Sequence, residues 1–201
     1  MMIIGITGGI GSGKTIVCNI FLQLGIPVYE ADSIAKKLYE SEPGIRDRIR
    51  NEVSENVFDK KGKLDKQKLA ALVFQDDAAL KKLNKIVHPV VAKHFAEWKK
   101  QNLAAPYVLK EAAILFESGA DQDCEKIITV TSPEELRIQR TMQRDKRSKA
   151  EVEQIIQKQW SDEEKIKQSD FVIVNDEHQL VIPQVLEIHN KLLAITQSST
   201  A

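Results

Sequence analysis

The sequence predicts an α/β fold with a central parallel sheet of about five strands, on the basis of two patterns along the chain. Five short runs rich in β-branched or aromatic residues are each bounded by turn or helix-start signals. These runs are 2–6, 26–29, 107–111, 126–130 and 171–174. Segments with helical spacing lie between them, and this alternation is typical of a parallel sheet covered by helices on both faces, which makes three layers.

Composition and charge favour an ordinary globular protein, and we expect residues 1–201 to form a single domain with insertions. The 29 Lys and Arg residues balance the 29 Asp and Glu residues, so no net charge attracts nucleic acid or an anionic membrane. Cys18 and Cys124 lie far apart in no metal-binding or disulfide motif. We therefore expect a cytoplasmic monomer or small homo-oligomer without nucleic-acid or membrane partners.

A glycine-rich segment follows the first predicted strand and carries the clearest functional signal. Gly8, Gly13, Lys14 and Thr15 satisfy the pattern G-x-x-x-x-G-K-[ST], which marks a phosphate-binding loop where it joins a strand to a helix. Apolar spacing predicts that helix over 14–24. The pattern therefore indicates a three-layer P-loop fold.

The residue types in this loop suit a polyphosphate. Glycines let backbone N–H groups approach phosphate oxygens, and the following helix adds the positive end of its dipole. Lys14 supplies a cation for the β- and γ-phosphates, and the Thr15 hydroxyl can ligate Mg²⁺. A glycine-rich turn with an exposed lysine is the alternative interpretation. We predict nucleoside triphosphate binding by Gly9, Ile10, Gly11, Ser12, Gly13, Lys14 and Thr15.

The chain between the second and third predicted strands is mainly helical in its patterning. It includes KLDKQKLAALVFQ and DDAALKKLNKIV and has almost no strand signal. We predict a helical subdomain inserted at about 33–87. Signals that break helices in this region are Pro43, Gly44, Gly62 and Pro89.

Asp32 is predicted to lie at the end of the second strand. Ligands of an open parallel sheet bind beyond the carboxyl ends of the strands, and the phosphate loop lies at that same edge. A carboxylate there can accept the proton of an attacking hydroxyl, whereas Asp also favours the start of a helix. These residues alone leave both roles open.

Three further side chains each have two interpretations. His88, which precedes Pro89, either contacts a substrate or marks a helix kink imposed by proline. Glu111 ends the third strand and Glu117 lies in ILFESG. These two carboxylates either serve the metal waters and the acceptor or are structural acids.

Arginine recurs in the segment after the fourth strand. SPEELRIQRTMQRD predicts one helix, and Ser148, with a glutamate three residues later, predicts a capping box that opens the next. Arg137, Arg140 and Arg144 share one helix face. They either clamp phosphates when a lid closes or form a charged solvated face. We predict this lid at about 137–160.

Other classes of phosphate-loop protein carry signals that are absent here. A guanine-nucleotide switch needs N-K-x-D after a strand, and the NK pairs at Asn84 and Asn190 lack the aspartate. A mechanical or transport ATPase would show an apolar strand ending in Asp-Glu, and the third strand reads YVLKEA. These absences favour a small kinase. A kinase of the nucleoside-monophosphate type with another acceptor, and a slowly hydrolysing regulatory module, are the alternatives.

In combination, these segments resemble the dephospho-CoA kinase family. The matching stretches, in chain order, are GITGGIGSGK, EADSIA, HP, ILFESG, RIQRTMQRD and SDFVIVND, and they extend over nearly the whole chain. The resemblance implies transfer of the γ-phosphoryl group of ATP, with Mg²⁺, to the 3′-hydroxyl of dephospho-CoA. It further implies that Asp32 is the general base, that Lys14 and Thr15 bind phosphate and Mg²⁺, and that Arg140 is a lid arginine on ATP.

The resemblance also implies which parts of the chain meet each substrate. The helical insertion is expected to receive the acceptor, with His88 nearby, and the loop around Asn175 to contact adenine. Two carboxylates depart from the family pattern, because Glu30 and Glu111 stand where aspartate is usual. Ala113 replaces a usual proline shortly after Glu111.

Overall fold

Five strands form one parallel sheet in the computed structural model, which describes residues 1–198. Their bounds are β1 Met2–Thr7, β2 Val28–Glu30, β3 Tyr107–Glu111, β4 Lys126–Thr131 and β5 Phe171–Val174. The sheet order is β2-β3-β1-β4-β5, and all neighbouring strands run parallel. The predicted fold class, α/β with a parallel sheet of five strands, is confirmed.

The second strand begins two residues later than predicted. Pro27 has no backbone N–H to donate to a sheet ladder, although its carbonyl accepts a hydrogen bond from Leu109 N at 2.9 Å. Ile26 is only 2% exposed and packs in the core beside the sheet. The apolar signal at Ile26 therefore reflects burial and not strand pairing.

Helices connect the strands, and the chain divides into two compact units. One unit comprises Met1–Glu30 and Asn102–Ala201, and the other comprises Ala31–Gln101. The helices are α1 Lys14–Gln23, α2 Ala31–Ser41, α3 Pro43–Arg48, α4 Lys66–Gln75, α5 Asp77–Gln101, α6 Glu134–Asp145, α7 Lys149–Gln157, α8 Asp162–Lys167 and α9 Val181–Ser198. Helices α2 to α5 therefore belong to one unit, and the sheet belongs to the other.

The sheet unit has a core between its strands and the helices α1 and α9. Ile4 of β1, Phe21 of α1 and Leu192 of α9 are each 0% exposed and belong to one buried cluster. These apolar faces follow the periods of strand and helix in the sequence. Burial of this cluster fixes where β1 ends and α1 begins, and the phosphate loop lies between those two points.

The other unit is helical and has its own core. Leu38 of α2, Ile49 and Ile86 of α5 are buried in a second cluster. A π-helical turn, Ile49–Val53, and a 3₁₀ turn, Glu55–Val57, continue the chain from α3 towards α4. The predicted helical insertion, about 33–87, falls within this unit.

The helix break expected at Pro89 is wrong. Helix α5 runs without interruption through Pro89, which lies inside it. Proline removes one backbone donor from the helix, but Val87 before it and Phe95 after it are both buried. Packing on both sides therefore keeps the helix intact across the proline.

The segment after β4 has the predicted helices. Ser148 N donates to Glu151 Oε2 at 2.8 Å, and Glu151 N donates to Ser148 Oγ, which forms the predicted capping box of α7. A second capping box, between Ser161 and Glu164, opens α8. The spacing of Ser161 and Glu164 is the same S-x-x-E signal, which could have located α8 from the sequence.

Candidate active site

The phosphate loop, residues 8–15, joins β1 to α1, and just before α1 its backbone adopts a left-handed conformation that favours glycine. Gly13 has φ 97° and precedes the first residue of α1. A Cβ at Gly13 would collide with the side-chain amide of Asn175, which donates to the Ser12 carbonyl at 2.8 Å. Ser12 is fully buried, and its N–H donates to the Gly9 carbonyl at 3.1 Å, so both of its backbone polar groups are bonded within the protein.

Lys14 is held at the mouth of this loop by a carbonyl of the loop itself and by a carboxylate of β3. Its Nζ donates to the Gly8 carbonyl at 2.9 Å and lies 4.0 Å from Glu111 Oε1. Parallel pairing of Ile6 with Glu111 explains this position, since it brings the end of β3 beside the start of the loop. The side chains of Lys14 and Glu111 are only 11% and 14% exposed. This edge therefore holds a cation and a carboxylate close to the phosphate loop.

Cys18 lies one turn after Lys14 in α1 and is 1% exposed. Burial raises the pKa of its thiol to about 12, and the negative charges of Glu111 and Glu30 add to that rise. The thiol is therefore protonated at neutral pH. This keeps Cys18 from acting as a nucleophile or a metal ligand beneath the loop.

Arg137 packs directly on the phosphate loop. Its Nε donates to the Ile10 carbonyl at 3.1 Å, and one of its terminal nitrogens pairs with Asp162 at 2.9 Å. Asp162 also accepts a hydrogen bond from the Thr131 hydroxyl at the end of β4. With 6% of its side chain exposed, Arg137 is bound to the protein itself and does not belong to a solvated face.

Arg140 and Arg144, on the same helix, have different surroundings. Arg140 reaches the loop after β5, where it donates to the Asn175 carbonyl at 3.2 Å and to Glu177 at 3.1 Å. Its side chain is 27% exposed, whereas that of Arg144 is 61% exposed and pairs with its neighbour Asp145. The structure thus brings Arg140 and Asn175 together and leaves Arg144 at the surface.

Glu117 is held in a buried ion pair. Its Oε1 lies 3.2 Å from Lys165 Nζ and accepts a hydrogen bond from Trp160 N at 2.8 Å. The Lys165 side chain is 0% exposed and also donates to the Ala113 carbonyl. Lys165 was not singled out in the sequence, because a lysine in a short helix of charged residues has no pattern that predicts burial. These contacts bind Glu117 Oε1 to the protein itself, and its contact with the acceptor stays a prediction.

Lys110, the basic residue beside Glu111, also has structural partners. Its Nζ pairs with Asp123 at 2.8 Å and donates to the Ala120 carbonyl at 3.3 Å. Successive residues of a strand point to opposite faces. Glu111 therefore faces Lys14, while Lys110 ties β3 to the turn Ala120–Asp123.

Asp32 and His88 both belong to the helical unit Ala31–Gln101. The second strand ends at Glu30, so Asp32 lies in the first turn of α2 and not on the strand. Carboxylates are stabilised at that end of a helix. Burial, and secondarily the charge of Asp32, raises the pKa of Tyr39 one to two turns later. His88 lies in α5, immediately before Pro89.

The residues at the loop fit Mg²⁺ bound together with a nucleotide. No group of three or more His, Cys, Asp or Glu side chains able to hold a metal occurs among residues 1–198. Mg²⁺ in phosphate-transfer sites usually takes one or two protein ligands, with water and phosphate oxygens completing the octahedron. Thr15 is exposed at the start of α1, and Glu111 lies across the loop. That donor set is sufficient for a metal that arrives with its phosphates.

None of the helices that the structure describes combines the length and the apolar character needed to cross a membrane.

Comparisons with known proteins agree with one another. The family model for dephospho-CoA kinase matches residues 2–180. A dephospho-CoA kinase from Bacteroides fragilis is 41% identical over 185 residues, which cover 92% of this chain and 90% of the relative. A crystal structure of a Thermus thermophilus protein superposes with a TM-score of 0.80 at 34% identity over 96% of both chains. Dephospho-CoA kinase from Campylobacter jejuni superposes with a TM-score of 0.66 at 27% identity over 98% of both.

Three observations lead to one assignment: the glycine-rich loop with Lys14 at its mouth, the parallel sheet that carries this loop, and the match over residues 2–180. The chain belongs to the dephospho-CoA kinase family.

Proposed function

We propose that this chain transfers the γ-phosphoryl group of ATP to the 3′-hydroxyl of dephospho-CoA, which yields coenzyme A and ADP. As a member of this family the chain is a phosphotransferase. The observation that carries the proposal is the position of Lys14, which lies 2.9 Å from the Gly8 carbonyl and 4.0 Å from Glu111 at the carboxyl edge of the sheet. A cation at that point meets the β- and γ-phosphates of a nucleotide cradled by the loop amides.

On the donor side, the proposed roles follow from charge and position. Lys14 and backbone N–H groups of the loop, among which that of Ile10 is already bound to Gln159, stabilise the charge that develops on the transferred group. Mg²⁺, held through Thr15 and phosphate oxygens, would neutralise charge on the β- and γ-phosphates. Arg140 can exchange its exposed partner Glu177 for a phosphate, since guanidinium binds both anions in the same geometry. Asn175, whose carbonyl Arg140 contacts, lies in the loop proposed to contact adenine.

On the acceptor side, we assign Asp32 as the general base that takes the proton of the attacking hydroxyl. Its place directly after β2 supports this role, because ligands of a parallel sheet gather beyond the strand ends. The helical unit would receive the rest of dephospho-CoA, with His88 as a contact. Glu111 is the better candidate of the two remaining carboxylates, because Glu117 is already paired with buried Lys165.

Water is the competing acceptor, so the site has to close before transfer. The lid predicted at about 137–160 contains most of α6, with Arg140, and all of α7. We propose that the middle of this segment closes over bound ATP while Arg137 stays on the loop, and that the Arg140 side chain moves from Glu177 to the phosphates. A cytoplasmic location and a monomeric or small homo-oligomeric state complete the proposal, in keeping with two free cysteines and a balanced charge.

An acceptor panel tests the reaction. ADP release is measured with Mg–ATP and, in turn, dephospho-CoA, AMP, shikimate, gluconate or no acceptor. We expect rapid turnover with dephospho-CoA alone. Use of another acceptor in its place would contradict the assignment, and equal turnover without any acceptor would point to a nucleotide-hydrolysing regulatory module.

Asp32→Asn tests the general base. We expect kcat to fall by about a hundredfold or more, since a positioned base contributes about 10²–10⁴ in rate, while the affinity for ATP is kept. Asp77→Asn is the matched control, because Asp77 also lies in the first turn of a helix of the same unit and is exposed. Near-normal turnover of Asp32→Asn would leave Asp32 only as a helix-start residue.

A further inference from the structure

The Ile10 residue at the tip of the phosphate loop is bound through both of its backbone polar groups. Its N–H donates to Gln159 Oε1 at 2.9 Å, and its carbonyl accepts from Arg137 Nε at 3.1 Å. Gln159 lies 149 residues away in the chain. Two side chains from the segment after β4 therefore hold the backbone of this loop residue.

The Arg137 half of this arrangement is rigid. Arg137 is paired with Asp162, which is itself bound by the hydroxyl of Thr131 on β4. Its guanidinium packs so closely on the loop that a Cβ at Gly9 would overlap it. The Ile10 carbonyl is therefore connected to strand β4 through Arg137, Asp162 and Thr131.

The Gln159 half is anchored through the next residue. Trp160 N donates to Glu117 Oε1 at 2.8 Å, and the Trp160 ring stacks on Phe116 with centroids 5.5 Å apart and planes 6° from parallel. Glu117 is fixed in turn by the buried Lys165. Gln159 is therefore presented to the loop from an anchored backbone and not from a free helix end.

We propose that Gln159 is a positioning residue that holds the phosphate loop in the conformation that accepts a triphosphate. This inference rests on the proposed use of the loop for ATP. A loop rich in glycine has many accessible backbone conformations, and only the one with its N–H groups convergent binds phosphate. The observed affinity of such a site equals its intrinsic affinity multiplied by the fraction of molecules whose loop is in the binding-competent conformation. A hydrogen bond that raises the competent fraction therefore raises affinity for ATP and leaves the acceptor site unaffected.

The test compares the wild-type chain with Gln159→Met, which keeps the length of the side chain and removes its acceptor oxygen. Gln157→Met is the matched control, because Gln157 is exposed at the end of α7, two residues earlier. Calorimetric titration with Mg–ATP gives Kd, steady-state kinetics give KM for each substrate, and thermal unfolding gives Tm.

We expect Gln159→Met to raise Kd and KM for ATP by about three- to tenfold, the factor that corresponds to one lost hydrogen bond. KM for dephospho-CoA and Tm should match those of Gln157→Met. Unchanged affinity for ATP would overturn the proposal, and so would an equal rise in KM for both substrates together with a lower Tm. If the wild-type chain binds ATP but does not phosphorylate dephospho-CoA, the proposed function fails, while the ratio of ATP affinities still decides the role of Gln159.

Discussion

The buried pair of Glu117 and Lys165 should be among the most sensitive positions for stability in the sheet unit. Replacement of Lys165 by methionine keeps the volume of the side chain and removes its charge. The variant leaves the Glu117 carboxylate, 14% exposed, without its cation. It also removes the donor to the Ala113 carbonyl.

The distance sets the size of the effect. Two unit charges 3.2 Å apart attract by about 5 kcal/mol at an effective dielectric constant of about 20. Removal of one partner of a buried pair costs about 3–5 kcal/mol, because the other charge stays desolvated. We therefore expect Lys165→Met to lower the unfolding free energy by about 3–5 kcal/mol. That is a large share of the total of about 5–15 kcal/mol typical of natural proteins.

Urea unfolding measures the loss, and the chain offers its own control. Lys191 and Glu187 form an exposed pair at 2.6 Å, with 55% and 67% of their side chains accessible. Lys191→Met should cost far less than Lys165→Met, because an exposed ion pair contributes little to stability. Glu117→Gln combined with Lys165→Met should be less harmful than the sum of the single changes, since no lone charge is left buried. If Lys165→Met costs no more than Lys191→Met, the pair is solvated and the reasoning is refuted.

Three other outcomes are expected. Burial lowers the pKa of His189, so the unfolded chain binds a proton more readily than the folded chain. Stability should therefore fall as the pH falls below about 7 through the ordinary histidine pKa of about 6.5. His189→Gln should flatten this pH dependence of the unfolding free energy, measured with urea between about pH 7 and 5, and an unchanged slope would contradict the prediction. Burial raises the pKa of both Cys18 and Cys124 to about 12, so neither thiol should react with a disulfide reagent at mildly alkaline pH until urea is added. Rapid labelling of the folded chain would count against this burial of the two thiols. Arg140→Met should lower kcat/KM for ATP about a hundredfold, because one preorganised donor that stabilises charge is lost. Arg144→Met, at an exposed site, should change kcat/KM for ATP less than about twofold. Similar effects of the two variants would argue against a specific role for Arg140.

Features that depend on neighbours in the chain could be predicted from the sequence. The phosphate loop is a run of eight residues between a strand and a helix, and its chemistry is that of consecutive backbone groups. The capping box of α7 requires only the spacing of Ser148 and Glu151. The strand at Phe171–Val174 follows from β-branched residues in succession. Each of these signals is complete within one turn or one strand, so tertiary contacts do not alter it.

Local signals failed where packing outweighed them. Pro89 reduces helix stability by about 3 kcal/mol or more, yet buried side chains on both sides keep α5 intact. Asp32 was expected at the end of the second strand, with the start of a helix as the alternative, and it lies in the first turn of α2, which begins at Ala31 after β2 ends at Glu30. Strand and helix ends depend on pairing partners, which a single sequence does not identify.

The sequence by itself determined that this chain binds a polyphosphate on a parallel α/β sheet, and its combined motifs pointed to the acceptor. Only the tertiary structure decided which charged groups lie at the phosphate loop and which are paired elsewhere in the protein. Glu117 is joined to Trp160 across 43 residues, and Gln159 to Ile10 across 149. No periodicity links positions so far apart, because they meet only through the order in which the strands are laid side by side in the sheet. That order places Lys14 against the phosphate loop and Arg140 against Asn175, whereas Lys110 and Lys165 pair with Asp123 and Glu117.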